Sequence, residues 1–133
     1  MKQIYIVGAG GFGREVFDWM METLDLEEEY SFAGFLDDNL QALDGFLIQA
    51  SVVSKISDYK VGENDYLICG IGNPSLKKEI CQSLIEKGGK FISLIHPSAR
   101  LGRGSKIGNG SVVCPNVVIT CDVDVGDFVM INL

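Results

Sequence analysis

The chain has 133 residues and a formal net charge of −7 with only 11 basic residues, which excludes the basic surface that a nucleic-acid binder needs. Its 47% hydrophobic and 22% charged residues are globular values and exclude a disordered chain. No apolar run approaches the roughly 18 residues of a membrane helix, and the N-terminus enters a strand without a secretory leader, so the cytoplasm is the expected compartment.

Ile4-Tyr5-Ile6-Val7, four apolar residues in a row, reads as a buried parallel strand, and Gly8, Gly10 and Gly13 follow it as G-x-G-x-x-G. Glycine serves such a corner in three ways: a tight exit from the strand, close approach of backbone to phosphate, and packing of helix on strand. The pattern also fits a bare βα turn. Its place between strand and helix favours a phosphate loop, toward which the helix aims free N–H groups and its positive end. Phe12, Val16, Trp19, Met20, Thr23 and Leu24 recur at helical spacing and predict an amphipathic helix.

Asp25-Leu26-Glu27-Glu28-Glu29 reads as a solvated acidic loop. Tyr30 to Leu36 reads as the second strand, with Asp37-Asp38-Asn39 at its carboxyl end. An acidic side chain there can hold a ribose hydroxyl of a bound nucleotide, and Asp and Asn equally favour a simple turn. Gln41 to Tyr59 gives only short apolar pieces, Gly45-Phe46-Leu47-Ile48 and Ser51-Val52-Val53, and the start of a short helix at Ile56-Ser57-Asp58-Tyr59.

Tyr66-Leu67-Ile68-Cys69-Gly70-Ile71 reads as a buried strand ending at Gly72-Asn73-Pro74. Asn73 suits a helix N-cap and Pro74 the first helical position. Leu76, Ile80, Cys81, Leu84 and Ile85 would form the apolar face of this helix, with Gly88-Gly89 ending it. Two βα corners then stand side by side, where open α/β sheets bind ligands. Phe91-Ile92-Ser93-Leu94-Ile95 reads as the last strand, closed by His96-Pro97. Cys69, Cys81, Cys114 and Cys121 show no C-x-x-C spacing and His96 is the only histidine, so a metal site is not expected. Cys69 and Cys81 read as reduced core residues.

Beyond Pro97 the period changes. Leu101, Ile107, Val113, Ile119, Val125 and Ile131 stand six residues apart, and Ile95 extends the row backwards. Ser105, Ser111, Val117, Val123 and Val129 form a second row of small or β-branched residues, and Gly102, Gly108 and Gly126 follow three of the aliphatics. A period of six belongs to neither a helix nor an ordinary strand, and predicts a hexapeptide parallel β-helix.

These features in this order (Gly8-Ala9-Gly10-Gly11-Phe12-Gly13-Arg14-Glu15-Val16, Leu36-Asp37-Asp38, Gly70-Ile71-Gly72-Asn73, Ile95-His96-Pro97-Ser98-Ala99, then hexapeptides) resemble bacterial sugar acetyltransferases. The type is that of the sialic acid O-acetyltransferases and UDP-4-amino-sugar N-acetyltransferases, and the resemblance covers the whole chain. It implies a Rossmann-like parallel sheet with flanking helices over residues 1–97, holding a UDP- or CMP-linked sugar. Residues 98–133 would then open a left-handed parallel β-helix, trimeric in the family, that brings acetyl-CoA. The resemblance puts the diphosphate near Gly10, Gly11, Phe12 and Gly13, the nucleoside near Asp37 and Asp38, and the sugar near Gly72 and Asn73.

Relatives place a general-base histidine in the β-helix a few residues beyond the equivalent of Ile131-Asn132-Leu133, which implies a chain that stops short of its catalytic base and of most of the acetyl-CoA site. His96 has a proton affinity suited to base catalysis, but it sits at a strand end before proline and reads as structural. The expectation is therefore a fragment that binds nucleotide sugar without turnover, with Val129, Ile131 and Leu133 left at an open coil end. An NAD-dependent enzyme or sensor fits the glycine loop and Asp37 equally well. A non-enzymatic oligomerisation module remains the third reading.

Overall fold

The computed structural model describes residues 1–132. Its first part is a four-stranded parallel sheet built from β1 (Lys2–Val7), β2 (Tyr30–Leu36), β3 (Val52–Ser54) and β4 (Asp65–Cys69) in the order β3-β2-β1-β4. Helix α1 (Gly11–Thr23) follows β1, and α2 (Pro74–Glu86) follows β4. From β1 the chain winds outward to β2 and β3, then returns to β1's other side for β4. The winding therefore reverses between β1 and β4, which opens a crevice at their carboxyl ends.

Strand side chains alternate between faces, and the core divides accordingly. Ile4, Ile6, Phe35 and Ile68 pack with Val16, Phe17 and Met20 of α1 in one cluster. Val7, Leu36, Leu67 and Cys69 pack with Cys81 and Leu84 of α2 in the other. Burying side chains such as Phe35 and Met20, both at 0% exposure, contributes about 2 kcal/mol apiece.

The expectation for α2 needs correction: only Cys81 and Leu84 of its apolar residues are buried, while Leu76 is 49% and Ile85 41% exposed. The helix lies on the sheet along a narrow stripe. Phe91 to Ile95 is likewise not one strand. Phe91 bridges to Leu67 at the sheet edge, whereas β5 (Leu94–Ile95) pairs elsewhere.

From β5 onward a two-residue strand recurs every six residues: β6 (Arg100–Leu101), β7 (Lys106–Ile107), β8 (Val112–Val113), β9 (Val118–Ile119), β10 (Asp124–Val125) and β11 (Met130–Ile131). Each pairs in parallel with the strand eighteen residues away, giving three small sheets, β11-β8-β5, β6-β9 and β7-β10. Val112, Val113, Cys114, Val117 and Ile119 join the α1 cluster, so the two parts share one core.

A hydroxyl ladder ties successive turns. Ser93, Ser105 and Ser111 Oγ donate to the carbonyls of Gly108, Thr120 and Gly126 respectively. The same oxygens accept N–H groups of Ser111, Val123 and Val129, each at 3.0 Å. The six-residue period also fixes a row of left-handed corners at Gly104, Gly110, Asn116, Asp122 and Phe128. Glycine, Asn and Asp are suited to that conformation; Phe128 at φ 55° is not, and its ring instead packs edge-on against Phe91 at 5.0 Å. Leu133, expected at an open coil end, lies outside the described residues.

Candidate functional site

The crevice between β1 and β4 holds an open cavity of about 510 Å³. Its walls come from the corner after β1 (Gly8, Gly10, Gly11, Phe12), the end of β2 (Asp37, Asp38) and the corner after β4 (Gly70 to Asn73). Each corner has its own physical logic. Gly8 turns out of the strand at φ +98°, a conformation costly for side chains with a Cβ. At Gly10 an added Cβ would meet nothing within 4 Å, so the backbone there is open to the cavity.

Gly10 is the cap of α1 and offers no side-chain oxygen, which leaves the first-turn N–H groups without a cap partner. Those groups and the helix dipole favour an anion at this end of the cavity. Gly13 does not line it. A Cβ at Gly13 would stand 2.0 Å from the Gly8 carbonyl oxygen, so this glycine lets α1 lie directly on the β1 corner.

Asp37 clasps the site together. Its Oδ2 accepts the Ala9 N–H at 2.8 Å, inside the glycine loop, and its Oδ1 accepts the Asn39 N–H at 2.8 Å. Both readings of this residue thus meet at one carboxylate: it makes a turn, and it stands at the cavity wall. Asp38 is exposed, with Oδ1 accepting the Ser57 N–H at 3.3 Å. Asn73 Oδ1 accepts the Leu76 N–H at 3.0 Å and so caps α2 as its sequence position predicts, with Pro74 next in the first turn.

Of the eight residues singled out from sequence, the structure brings Gly10, Gly11, Phe12, Asp37, Asp38, Gly72 and Asn73 to the cavity wall and leaves Gly13 behind it. Sequence reasoning missed the apolar wall of Ile56, Ile71, Leu76 and Ile80. Leu76 and Ile80 carried a signal: α2 has more apolar residues than a narrow contact stripe can bury, so the surplus at its N-terminal turns had to face something else.

His96 does not line this cavity. It is buried, with Nε2 2.5 Å from Glu22 Oε2 and Nδ1 2.7 Å from Ser98 Oγ. The Ser98 N–H also donates to Nδ1 at 3.1 Å, so both ring nitrogens are held. This links α1 to the start of the coils. Among the described residues no group of His, Cys, Asp and Glu side chains is arranged to hold a metal ion, and no helix is long and apolar enough to cross a membrane.

A curated relative, the UDP-N-acetylbacillosamine N-acetyltransferase of Bacillus subtilis (strain 168), is 27% identical over 117 residues, covering 85% of this chain and 51% of that protein. The GDP-perosamine N-acetyltransferase of Escherichia coli O157:H7 is 25% identical over 132 residues, covering 96% of this chain and 58% of that protein. Among solved structures, the acetyltransferase domain of PglB from Neisseria gonorrhoeae FA1090 superposes with a TM-score of 0.83 at 27% identity, over 99% of this chain and 62% of that one. The same domain has been solved in complex with acetyl coenzyme A. The chain thus spans between half and two thirds of the length of these relatives. Residues 3–84, the segment that builds the sheet and both walls of the crevice, match the family described as PglD N-terminal domain, and the chain belongs to that family.

Proposed function

We propose that this chain is the nucleotide-sugar-binding part of an acetyl-CoA-dependent sugar N-acetyltransferase. One observation carries the reading: the cavity lies where the sheet's winding reverses, with an uncapped helix N-terminus at one wall and apolar side chains at another. That combination suits a ligand with an anionic centre and a flat, partly apolar group. The names of the relatives supply the class, a UDP- or GDP-linked amino sugar; a CMP-linked sugar stays in the panel to be tested.

In this reading the backbone N–H groups at Gly10, Gly11 and Phe12 receive the diphosphate. Gly13 acts from behind by holding α1 close, and its contact to ligand is indirect. Asp37 and Asp38 face the nucleoside. Asp37 keeps a lone pair on each oxygen for a ribose hydroxyl while its bonds to Ala9 and Asn39 fix its direction. Gly72 and Asn73 face the sugar.

Residues 1–97 are proposed as the Rossmann-like binding domain and 98–133 as the first coils of a left-handed parallel β-helix, which pair onto the last strand of the first domain, Leu94–Ile95. Acetyl-CoA would supply the acetyl thioester that the sugar amine attacks. His96 is held by Glu22 and Ser98 outside the cavity, so it is not assigned as the base, and the described residues are given no step of acetyl transfer. The complete enzyme is proposed as a cytoplasmic homotrimer.

Titration calorimetry of the chain against UDP-, GDP- and CMP-sugars and NAD tests the reading. Saturable heat with a sugar nucleotide is expected. Binding of NAD with no response to any sugar nucleotide would transfer the chain to dinucleotide enzymes or sensors. A stable oligomer in sedimentation with no nucleotide affinity at all would make it an assembly module.

A further inference from the structure

Two thiols stand together at the base of the second βα corner. Cys69 ends β4 and Cys81 lies on α2, their sulfurs 3.6 Å apart with the Cys81 thiol donating to Cys69. Both are free and each is only 2% exposed. The segment between them supplies Gly70, Ile71, Gly72, Asn73, Leu76 and Ile80 to the wall of the nucleotide cavity. Cys81 also forms part of the wall of a second cavity, of about 390 Å³, between α2 and the corner at Asp127–Phe128. Lys77 and Lys78 line that cavity, with Asp127 and Phe128 opposite.

A small anionic molecule has a reason to enter there, because two ammonium groups face one carboxylate. The pair is also not locked apart. Only Cys81 and Leu84 of α2 are buried, so the helix is held along a thin stripe and can give by the roughly 1.5 Å that separates the present contact from a bond of about 2.05 Å. The hydrogen bond from Cys81 holds the Cys69 thiol below its ordinary value, against its burial, while the same bond and burial push Cys81 up. A sulfur with thiolate character therefore sits beside the one that borders the cavity, the arrangement of a resolving cysteine.

We propose that Cys69 and Cys81 are a modification site: a dithiol that a small anionic disulfide of the glutathione class converts to an intrachain disulfide bracketing the second corner of the nucleotide cavity. Cys69, in its thiolate form, takes the Cys81 proton through their hydrogen bond as the Cys81 sulfur attacks oxidised glutathione, whose S–S bond breaks; one glutathione thiolate leaves and is protonated by solvent. Cys69 then attacks the Cys81 sulfur and expels the second glutathione thiol with its own proton. Two cysteines are oxidised and one glutathione disulfide is reduced to two thiols. The bond closes a short ring around Gly70 to Ile80. An effect on ligand binding rests on the nucleotide-sugar reading; the formation of the bond does not.

The test is incubation of the folded chain with oxidised glutathione, then alkylation in denaturant and peptide mapping by mass spectrometry. Cys121 is exposed and reports that the reagent has acted. The expected product carries glutathione on Cys121, an alkylated Cys114, and Cys69 joined to Cys81. The Cys69→Ser variant should instead accumulate glutathione on Cys81. Any wild-type product in which Cys121 has reacted while Cys69 and Cys81 remain alkylatable, or in which Cys81 keeps glutathione beside a free Cys69, overturns the proposal. A sugar-nucleotide titration of the oxidised chain separates the two claims. Unmodified protein that binds nothing sinks the nucleotide reading alone, whatever the thiols do.

Discussion

At the scale of single residues, the glycines of the first corner do different jobs that one motif hides. Gly13→Ala would drive a methyl into the Gly8 carbonyl, 2.0 Å away, and should cost about 3 kcal/mol in urea unfolding or prevent folding. Gly10→Ala meets nothing within 4 Å. It should leave stability within about 0.5 kcal/mol while weakening nucleotide affinity in calorimetry, because the methyl stands where the ligand would lie. Equal stability for the two variants would contradict the packing role of Gly13. Tyr59 offers a pH readout. Its hydroxyl donates to Asp65 at 2.6 Å, and burial, that hydrogen bond and the Asp65 charge hold its proton well above the ordinary tyrosine value of 10.0. The folded state therefore keeps a proton that the unfolded state releases above about pH 10, so this contribution is complete below that pH and is lost as pH rises. The urea midpoint should fall in alkali, and Tyr59→Phe should fall less steeply; identical slopes would refute the assignment.

At the scale of elements, α1 and β2 were legible from their apolar patterns, and α2 from periodicity that agreed with the Asn73 cap and the Gly88-Gly89 stop. Tyr30 to Leu36 is found as read, and Asn73 caps α2 as its position predicts. What sequence could not supply was which face of a helix is needed. The apolar residues of α2 serve both core and cavity wall, and periodicity does not tell them apart. The stretch from Gln41 to Tyr59 yielded little because its one strand, Val52–Ser54, is only three residues long and pairs at the sheet edge. The cap of α2 gives a prediction at this scale. Asn73→Asp keeps an oxygen for the Leu76 N–H and should hold stability within about 0.5 kcal/mol. It also adds a negative charge to the cavity wall, so affinity for a sugar diphosphate should drop by about tenfold, or about 1.4 kcal/mol. Asn73→Ala should instead lose about 1 kcal/mol of stability with the cap. Unchanged affinity in the Asp variant would remove Asn73 from the ligand's surroundings.

At the scale of the whole molecule, the sheet and the coils are joined by a common core and by the Glu22–His96–Ser98 link. Unfolding should therefore be one event: Trp19 fluorescence and far-ultraviolet circular dichroism should give coincident urea curves, and two separated transitions would show that the parts are independent. The six-residue period announced the recurring strands and, through Ile95, their start before Pro97, but the position of Phe128 in a left-handed corner was not legible. It depends on a contact across the junction, with Phe91, that no local pattern records. The serine ladder has a consequence for how such a tail can change length. Each hydroxyl is bonded to backbone groups fifteen and eighteen positions ahead. A single inserted residue after Ser111 would put the backbone partners of Ser105 and Ser111 out of phase, whereas a gain or loss of one full circuit restores them. Drift in this part of the gene should thus come in steps of eighteen codons, and frame-preserving changes of three or six nucleotides should be as damaging here as they are harmless in the loop around Leu47.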